Sequence, residues 1–322
     1  MALPMAAIEG KSEPGAAPAG ATGTSLATGY GVAALCWLLS AGVYIAAKWI
    51  SPEMPPWTLC FWRVFLAALV LTPVVRHQLS DMAALVRTRG LELLFIGGLG
   101  LAICQGFLYV GLRSSDAITA GIIMALMPLA TMVIAWIVLG ERMTLLQGLG
   151  AAAAFAGVLV IIARGEAATL LRLEVNQGEL WVLASAIAFG VYTVFLKRAR
   201  FTLARLPLLV LLLSAGAVTA LPFFLVEELS GARSALTTSG LVALLYCALP
   251  GGALMYYLFN WSIEALGPSK ASLMLYAQTI FVAILAFLIL GERLHPYHLA
   301  GAACIVAGIV LSNLKRRGAR TQ

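Results

Sequence analysis

Charge is scarce in this sequence. Only 11% of its 322 residues are Asp, Glu, Lys or Arg, whereas 61% are hydrophobic and the mean hydropathy is +0.96. A soluble domain carries roughly 25% charged residues, so a water-soluble enzyme or binding module is excluded. Cys36, Cys60, Cys104, Cys247 and Cys304 stand alone in apolar runs with no CxxC spacing, which leaves packing as their expected role. His295 and His298 flank a Pro-Tyr without a Cys or carboxylate partner and make a poor metal pair. No GxxxxGK[ST] loop is present, which argues against ATP hydrolysis within this chain. No cofactor is expected.

Carboxylates are missing from the middle of every apolar run, with Glu92, Glu179 and Glu264 all near run ends. This speaks against proton coupling through a buried acid, as in a proton-coupled multidrug exporter, and against binding of a bare multivalent cation. Phosphate-rich solutes would call for several basic groups, and Arg63 with Lys48 and Lys270 is thin provision. An intramembrane enzyme would need a nucleophile and base, or a metal, and neither a Ser-Lys nor a paired-Asp arrangement falls in adjacent runs. A passive channel is the other rival.

What the chain does have is ten apolar runs of about 20 residues, the length with which a helix crosses a bilayer. They fall at 28–49, 56–75, 91–112, 117–139, 144–163, 178–197, 206–226, 239–262, 270–290 and 297–314. Lipid offers no partner to unpaired backbone groups and the runs do not alternate, so helices are expected and a barrel is not. The fold class is therefore an all-α integral membrane protein. Residues 1–27, rich in Ala, Gly and Pro, read as a disordered tail, and 315–322 as a basic one. With the N-terminus cytoplasmic, 14 basic residues lie on the cytoplasmic side and 6 on the other, Arg63 being the last of the 21. That bias predicts both termini inside, and it makes a nucleic-acid partner unnecessary to explain the net charge of +7.

One phrase is written twice. A shift of 151 positions superposes Leu139-Gly140-Glu141-Arg142 on Leu290-Gly291-Glu292-Arg293, Gly150 on Gly301 and Gly157 on Gly308. Gly42-Val43-Tyr44 is echoed by Gly190-Val191-Tyr192 at an offset of 148. The shift equals five runs, an odd number, so the expected architecture is two inverted five-helix repeats, 28–165 and 178–314, joined by a linker at 166–177. Such repeats underlie alternating access, in which a central site opens to one side and then the other.

These elements resemble the drug/metabolite transporter superfamily, in particular its ten-helix exporters built from two EamA domains. The resemblance is carried by FWRVFLAALV, LMPLATMVIAWIVLGERMTLLQGLG, GELWVLASAIAFGVYTVFLKR and LGPSKASLMLYAQTIFVAILAFLILGERLHPYHLAGAACIVAGIVL, over residues 28–315. One departure is Pro128, whose counterpart in the second half is Thr279. The resemblance implies a multi-pass transporter of the bacterial inner membrane, closest in character to exporters of amino acids and related metabolites, with lipid around it and a small solute as its partner. A monomer is expected.

Polar groups inside the runs are the candidate solute contacts, because they are expensive there. Gln105 and Tyr109 share a helix face, and the 151-residue shift turns them into Tyr256 and Asn260. Ser272, Tyr276 and Thr279 form a stripe on the ninth run, and Tyr44 and Tyr192 are the pair from runs one and six. A pocket of this kind suits a neutral or zwitterionic solute. For each residue, bonding to a neighbouring helix is the competing reading. Arg63, the one strong charge well inside a run, is expected to snorkel or cap a neighbour's carbonyls, or else to receive a substrate carboxylate. Gly140 and Gly291 read as left-handed helix caps with Glu141 and Glu292 in water beyond them, a gating role for the two glutamates being the competing reading, and the glycines spaced by seven read as close helix packing.

Overall fold

The computed structural model describes residues 26–141, 143–166, 176–231, 237–266 and 274–313, and among these the chain is helical with no strand. The helices are α1 (Leu26–Ile50), α2 (Pro56–Leu71), α3 (Leu79–Gly97), α4 (Cys104–Leu112), α5 (Ala117–Met124), α6 (Met127–Leu139) and α7 (Leu145–Ile162). After the stretch around 167–175 follow α8 (Gln177–Ala199), α9 (Arg205–Leu229), α10 (Thr238–Ala248), α11 (Met255–Leu266), α12 (Leu275–Leu285) and α13 (Pro296–Asn313). Seven helical stretches are long and apolar enough to cross a membrane, and two shorter ones, Leu275–Leu290 and Pro296–Ser312, are apolar as well.

Local chemistry sets the ends. Pro56 begins α2, where its missing N–H is harmless. Thr144 and Gln147 close a reciprocal capping box on α7, while Asn176 and Thr237 accept from Gly178 N and Gly240 N at the starts of α8 and α10. Gly140 and Gly291 adopt φ of 66° and 69°, the left-handed turn that lets the helix before each one stop. Between α5 and α6 the helix breaks just ahead of Pro128; Thr279, its counterpart by sequence, sits inside the continuous α12.

One expected loop is not a loop. Residues 76–90 lie in helical backbone that runs from Pro56 to Leu112, through a 3-10 segment at Thr72–Gln78 and a kink at Arg89 (φ −135°, ψ 28°). Such a stretch is too long for one straight crossing at 1.5 Å per residue, and α2 and α3 both pack on α9. Lys and Arg in a run suggest water, yet they do not forbid a helix.

The core is built around α1 and α8. The first is flanked by α10, α11 and α12, and the second by α4, α5 and α6. α7 and α13 form a separate pair in which glycines face each other: a methyl group added to Gly150 would lie 2.5 Å from Gly308 O, and one added to Gly157 would lie 2.6 Å from Gly301 O. Because 150 meets 308 and 157 meets 301, the two helices run antiparallel, and small residues let their backbones touch.

Candidate functional site: a buried polar cluster between two widened helix turns

Three π-helical segments occur among the described residues: Gly98–Ile103 between α3 and α4 and Leu249–Leu254 between α10 and α11 interrupt the bundle, and Ala286–Leu290 ends the stretch after α12. The first two are 151 residues apart, the same interval as the repeated phrase. Widened turns of this kind loosen the regular hydrogen-bond ladder and recur at functional sites. Their glycines admit neighbours: Tyr192 of α8 packs onto Gly100, and Val43 of α1 onto Gly251.

The second widened turn is held by Arg63. This side chain, on α2, is 1% exposed; its Nε donates to Cys247 O and its Nη2 to Gly251 O, each at 3.2 Å. Burial rules out snorkelling, and the guanidinium caps carbonyls of a neighbouring helix. At the first widened turn the weaker Cys60 thiol takes the comparable place, 3.5 Å from Ala102 O.

Around Arg63 stand the other candidates. Tyr109 of α4 and Tyr256 of α11 flank the guanidinium, with the Tyr256 ring centroid 6.0 Å from Cζ. Tyr44 of α1 stands against Gln278 of α12. Tyr44, Tyr109, Tyr192 and Tyr256 are each 2% exposed or less, and none of their hydroxyls makes a well-formed hydrogen bond among the described residues, although Tyr44 faces Gln278 and Tyr256 faces Arg63 at close range. The same holds for Arg63 Nη1, Trp37 Nε1, Gln278 Oε1 and Asn260 Oδ1. Buried polar atoms are normally paired, because each unpaired one costs about 1–3 kcal/mol. A group of them in one place is therefore a reservoir of unused hydrogen bonds.

The remaining candidates divide. Gln105 is buried beside Tyr109 on α4. Asn260 donates to Tyr256 O at 2.9 Å and lines a cleft of about 340 Å³ with Gln78, Arg205, Trp261 and Glu264. Tyr276 is half-buried, and Thr279 spends its hydroxyl on Gly121 O at 3.3 Å, an ordinary interhelical bond. Ser272 lies outside the described residues. Gln278 and Trp37 were not singled out from the sequence; only their unpaired, buried atoms mark them.

The two ends of the bundle differ. At one end Glu292 accepts from Ala117 N and Ile118 N, Glu227 from Trp57 N and Thr58 N, and Lys48 donates to Leu112 O and Ser115 O, all at 2.8–3.1 Å. Glu53 accepts from Thr237 and Ser239, and Thr119 meets His298 at 3.0 Å. Glu292 is thus no solvated charge: it is half-buried, and it lies where the start of α5 offers free N–H groups. Burial pushes its carboxyl above the usual range, against the opposing pull of those two N–H groups. At the other end the described ion pairs are Lys197–Glu141 and the local Arg89–Glu92, and the cleft beside Asn260 opens there. Among the described residues no cluster of three metal-ligating side chains occurs.

An apolar helical bundle with unpaired polar atoms at its centre, tied at one end and cleft at the other, has the features of a multi-pass membrane transporter. Comparison with known proteins makes the class specific. The EamA-like transporter family model matches residues 27–163 and again 176–314, and the chain belongs to that family, within the drug/metabolite transporter superfamily. It is 30% identical over 241 residues to a protein of Streptantibioticus cattleyicolor named "Probable terminal-alkyne amino-acid exporter", covering 73% of this chain and 77% of that one. It is also 26% identical to the Salmonella typhimurium protein named "Uncharacterized inner membrane transporter YicL", covering 90% and 95% of the two chains. A crystal structure of a protein 21% identical aligns over 90% of this chain and 98% of its own with a TM-score of 0.54, which speaks for a shared fold.

Proposed function

We propose that the protein exports small neutral or zwitterionic metabolites, amino acids foremost, from the cytoplasm by alternating access, without ATP hydrolysis. The observation that carries this reading is the set of buried, unpartnered polar atoms between two widened turns 151 residues apart. In this reading Tyr44, Gln105, Tyr109, Tyr192, Tyr256, Asn260, Tyr276 and Thr279 face the solute path, with Arg63 among them. The ten crossings form two inverted five-helix repeats in the inner membrane with both termini in the cytoplasm, so the tied end is external and the cleft beside Asn260 faces inward. The antiparallel meeting of Gly150 with Gly308 and Gly157 with Gly301 supports this, being the self-complementary contact that a two-fold relation generates. The amino-acid exporter among the relatives supports the solute class.

The test is counterflow in proteoliposomes. Vesicles preloaded with a mixture of unlabelled amino acids should take up labelled members faster than empty vesicles, saturably and with neither ATP nor an imposed pH gradient. Flux that rises linearly with concentration and ignores the opposite side would identify a channel, and chemical conversion of the solute would identify an enzyme.

One observation favours a second reading, proton-coupled export. Glu179, in the first turn of α8, is 4% exposed and its Oε2 has no partner among the described residues. Uphill accumulation driven by a pH gradient and abolished by Glu179→Gln would support that mechanism over the first.

A further inference from the structure

Arg63 has more hydrogen-bonding capacity than the protein uses. A guanidinium carries five N–H donors; Nε and Nη2 are occupied by Cys247 O and Gly251 O, while Nη1 is buried and unpaired. Its charge is uncompensated too. Arg63 is the only Lys or Arg classed as buried among the described residues, and it takes part in neither of the described ion pairs. Glu227, on α9, is engaged by Trp57 N and Thr58 N at the start of α2. An isolated charge out of water is costly unless paired, so a buried guanidinium with a free N–H edge lacks an anion.

The surroundings say which anion. Tyr109 and Tyr256 flank the guanidinium, and their hydroxyls are unpaired donors buried beside it. A carboxylate has two oxygens and about four lone-pair sites, enough to accept from Nη1 and both hydroxyls together. A phosphate monoester at neutral pH carries up to two negative charges and would keep one unmatched against this single cation. From these donors we infer that the central site holds its solute by a carboxylate, bound by Arg63 Nη1 and the hydroxyls of Tyr109 and Tyr256. The inference deepens the transport reading and rests on it. The nearest cleft is the one that Asn260 helps to line, and Asn260 stands one helical turn from Tyr256.

The probes are the standard amino acids, each paired with its α-carboxamide, which keeps the amino group and side chain but removes the negative charge. Counterflow in proteoliposomes of the full chain is competed by each pair. For every acid that competes, the amide should be weaker by roughly 10- to 150-fold, the range for a lost hydrogen bond to a charged group. Tyr109→Phe and Tyr256→Phe keep the rings and remove one donor each, and they should narrow the acid-to-amide ratio while the amides' own affinities change little. Arg63→Gln should abolish the preference; since Arg63 also holds Cys247 and Gly251, the two Phe variants decide the matter if that protein does not fold. Equal competition by acids and amides in the wild type, or an undiminished ratio in both Phe variants, overturns the carboxylate subsite while leaving transport standing. No counterflow by any probe overturns the transport reading, and the subsite with it.

Discussion

Glu292 reaches from the turn after α12 to the start of α5, where its two oxygens accept from Ala117 N and Ile118 N at 2.8 and 2.9 Å. A carboxylate on two free helix N–H groups is a strong cap. Glu292→Ala should lower the stability of the purified protein by about 1–2 kcal/mol, read as a fall in Tm in detergent.

The same residue gives a pH signature. Its carboxyl is raised in the folded protein, chiefly by burial. A raised acid binds its proton more tightly folded than unfolded, so its contribution to stability is fully present below the ordinary glutamate range. That contribution is lost as pH climbs through the raised value. The Tm difference between wild type and Glu292→Gln should therefore drift against the wild type as pH rises from about 4.5 towards neutrality. A difference that is flat with pH, or of opposite slope, refutes the assignment.

The seam between α7 and α13 admits no extra atom. Gly150→Ala and Gly157→Ala would each push a methyl against carbonyl oxygen, and overpacking of this kind costs about 1–3 kcal/mol. Gly148→Ala is the control: its added carbon would approach only Met143 Cε, at 3.8 Å, and alanine is the better helix former. Detergent melting curves should separate the first two variants from the third.

Deleting an unpartnered hydroxyl should leave the fold intact and harm transport. Tyr44→Phe and Tyr192→Phe each remove one buried, unpaired oxygen, so Tm should hold or rise. Counterflow should fall by roughly 5- to 150-fold if that oxygen orients the solute, the equivalent of about 1–3 kcal/mol. A fall in Tm with normal counterflow would return these tyrosines to packing.

Reporter fusions after Arg142 and after Arg293 test the inverted arrangement. The first should read cytoplasmic and the second external. Both on one side would remove the inverted repeat from the proposed mechanism.

Apolar run length was enough to foresee most helices, because in lipid little else satisfies the backbone, and positive φ at Gly140 and Gly291 was legible from their place after a run. The central tyrosines and Arg63 stood out as polar groups in apolar stretches. Other features depend on tertiary context that a sequence does not display. Residues 76–90 look like a polar loop, but helix continues through them. Glu292 looks solvated, because nothing near it in sequence reveals that Ala117 and Ile118 lie opposite. The widened turns had a faint signal in the glycines of GLGLAI and LPGGAL, while Gln278 had none beyond being an amide in an apolar run.

Glu141 and Glu292 occupy the same place in the repeated phrase but do different work: Glu141 is exposed and paired with Lys197, while Glu292 caps another helix. Two identical halves would make the two end states of the proposed cycle equal in free energy, with a resting equilibrium constant of one. Each bond formed by only one copy tilts that balance if it exists in only one of those states. A pair of hydrogen bonds to a charged group, at about 1.5–3 kcal/mol each, would hold the empty carrier overwhelmingly on one side of its cycle. The direction in which it waits is then a property of the mismatches between the copies, and substitutions that erase those mismatches should shift the resting orientation before they touch the solute.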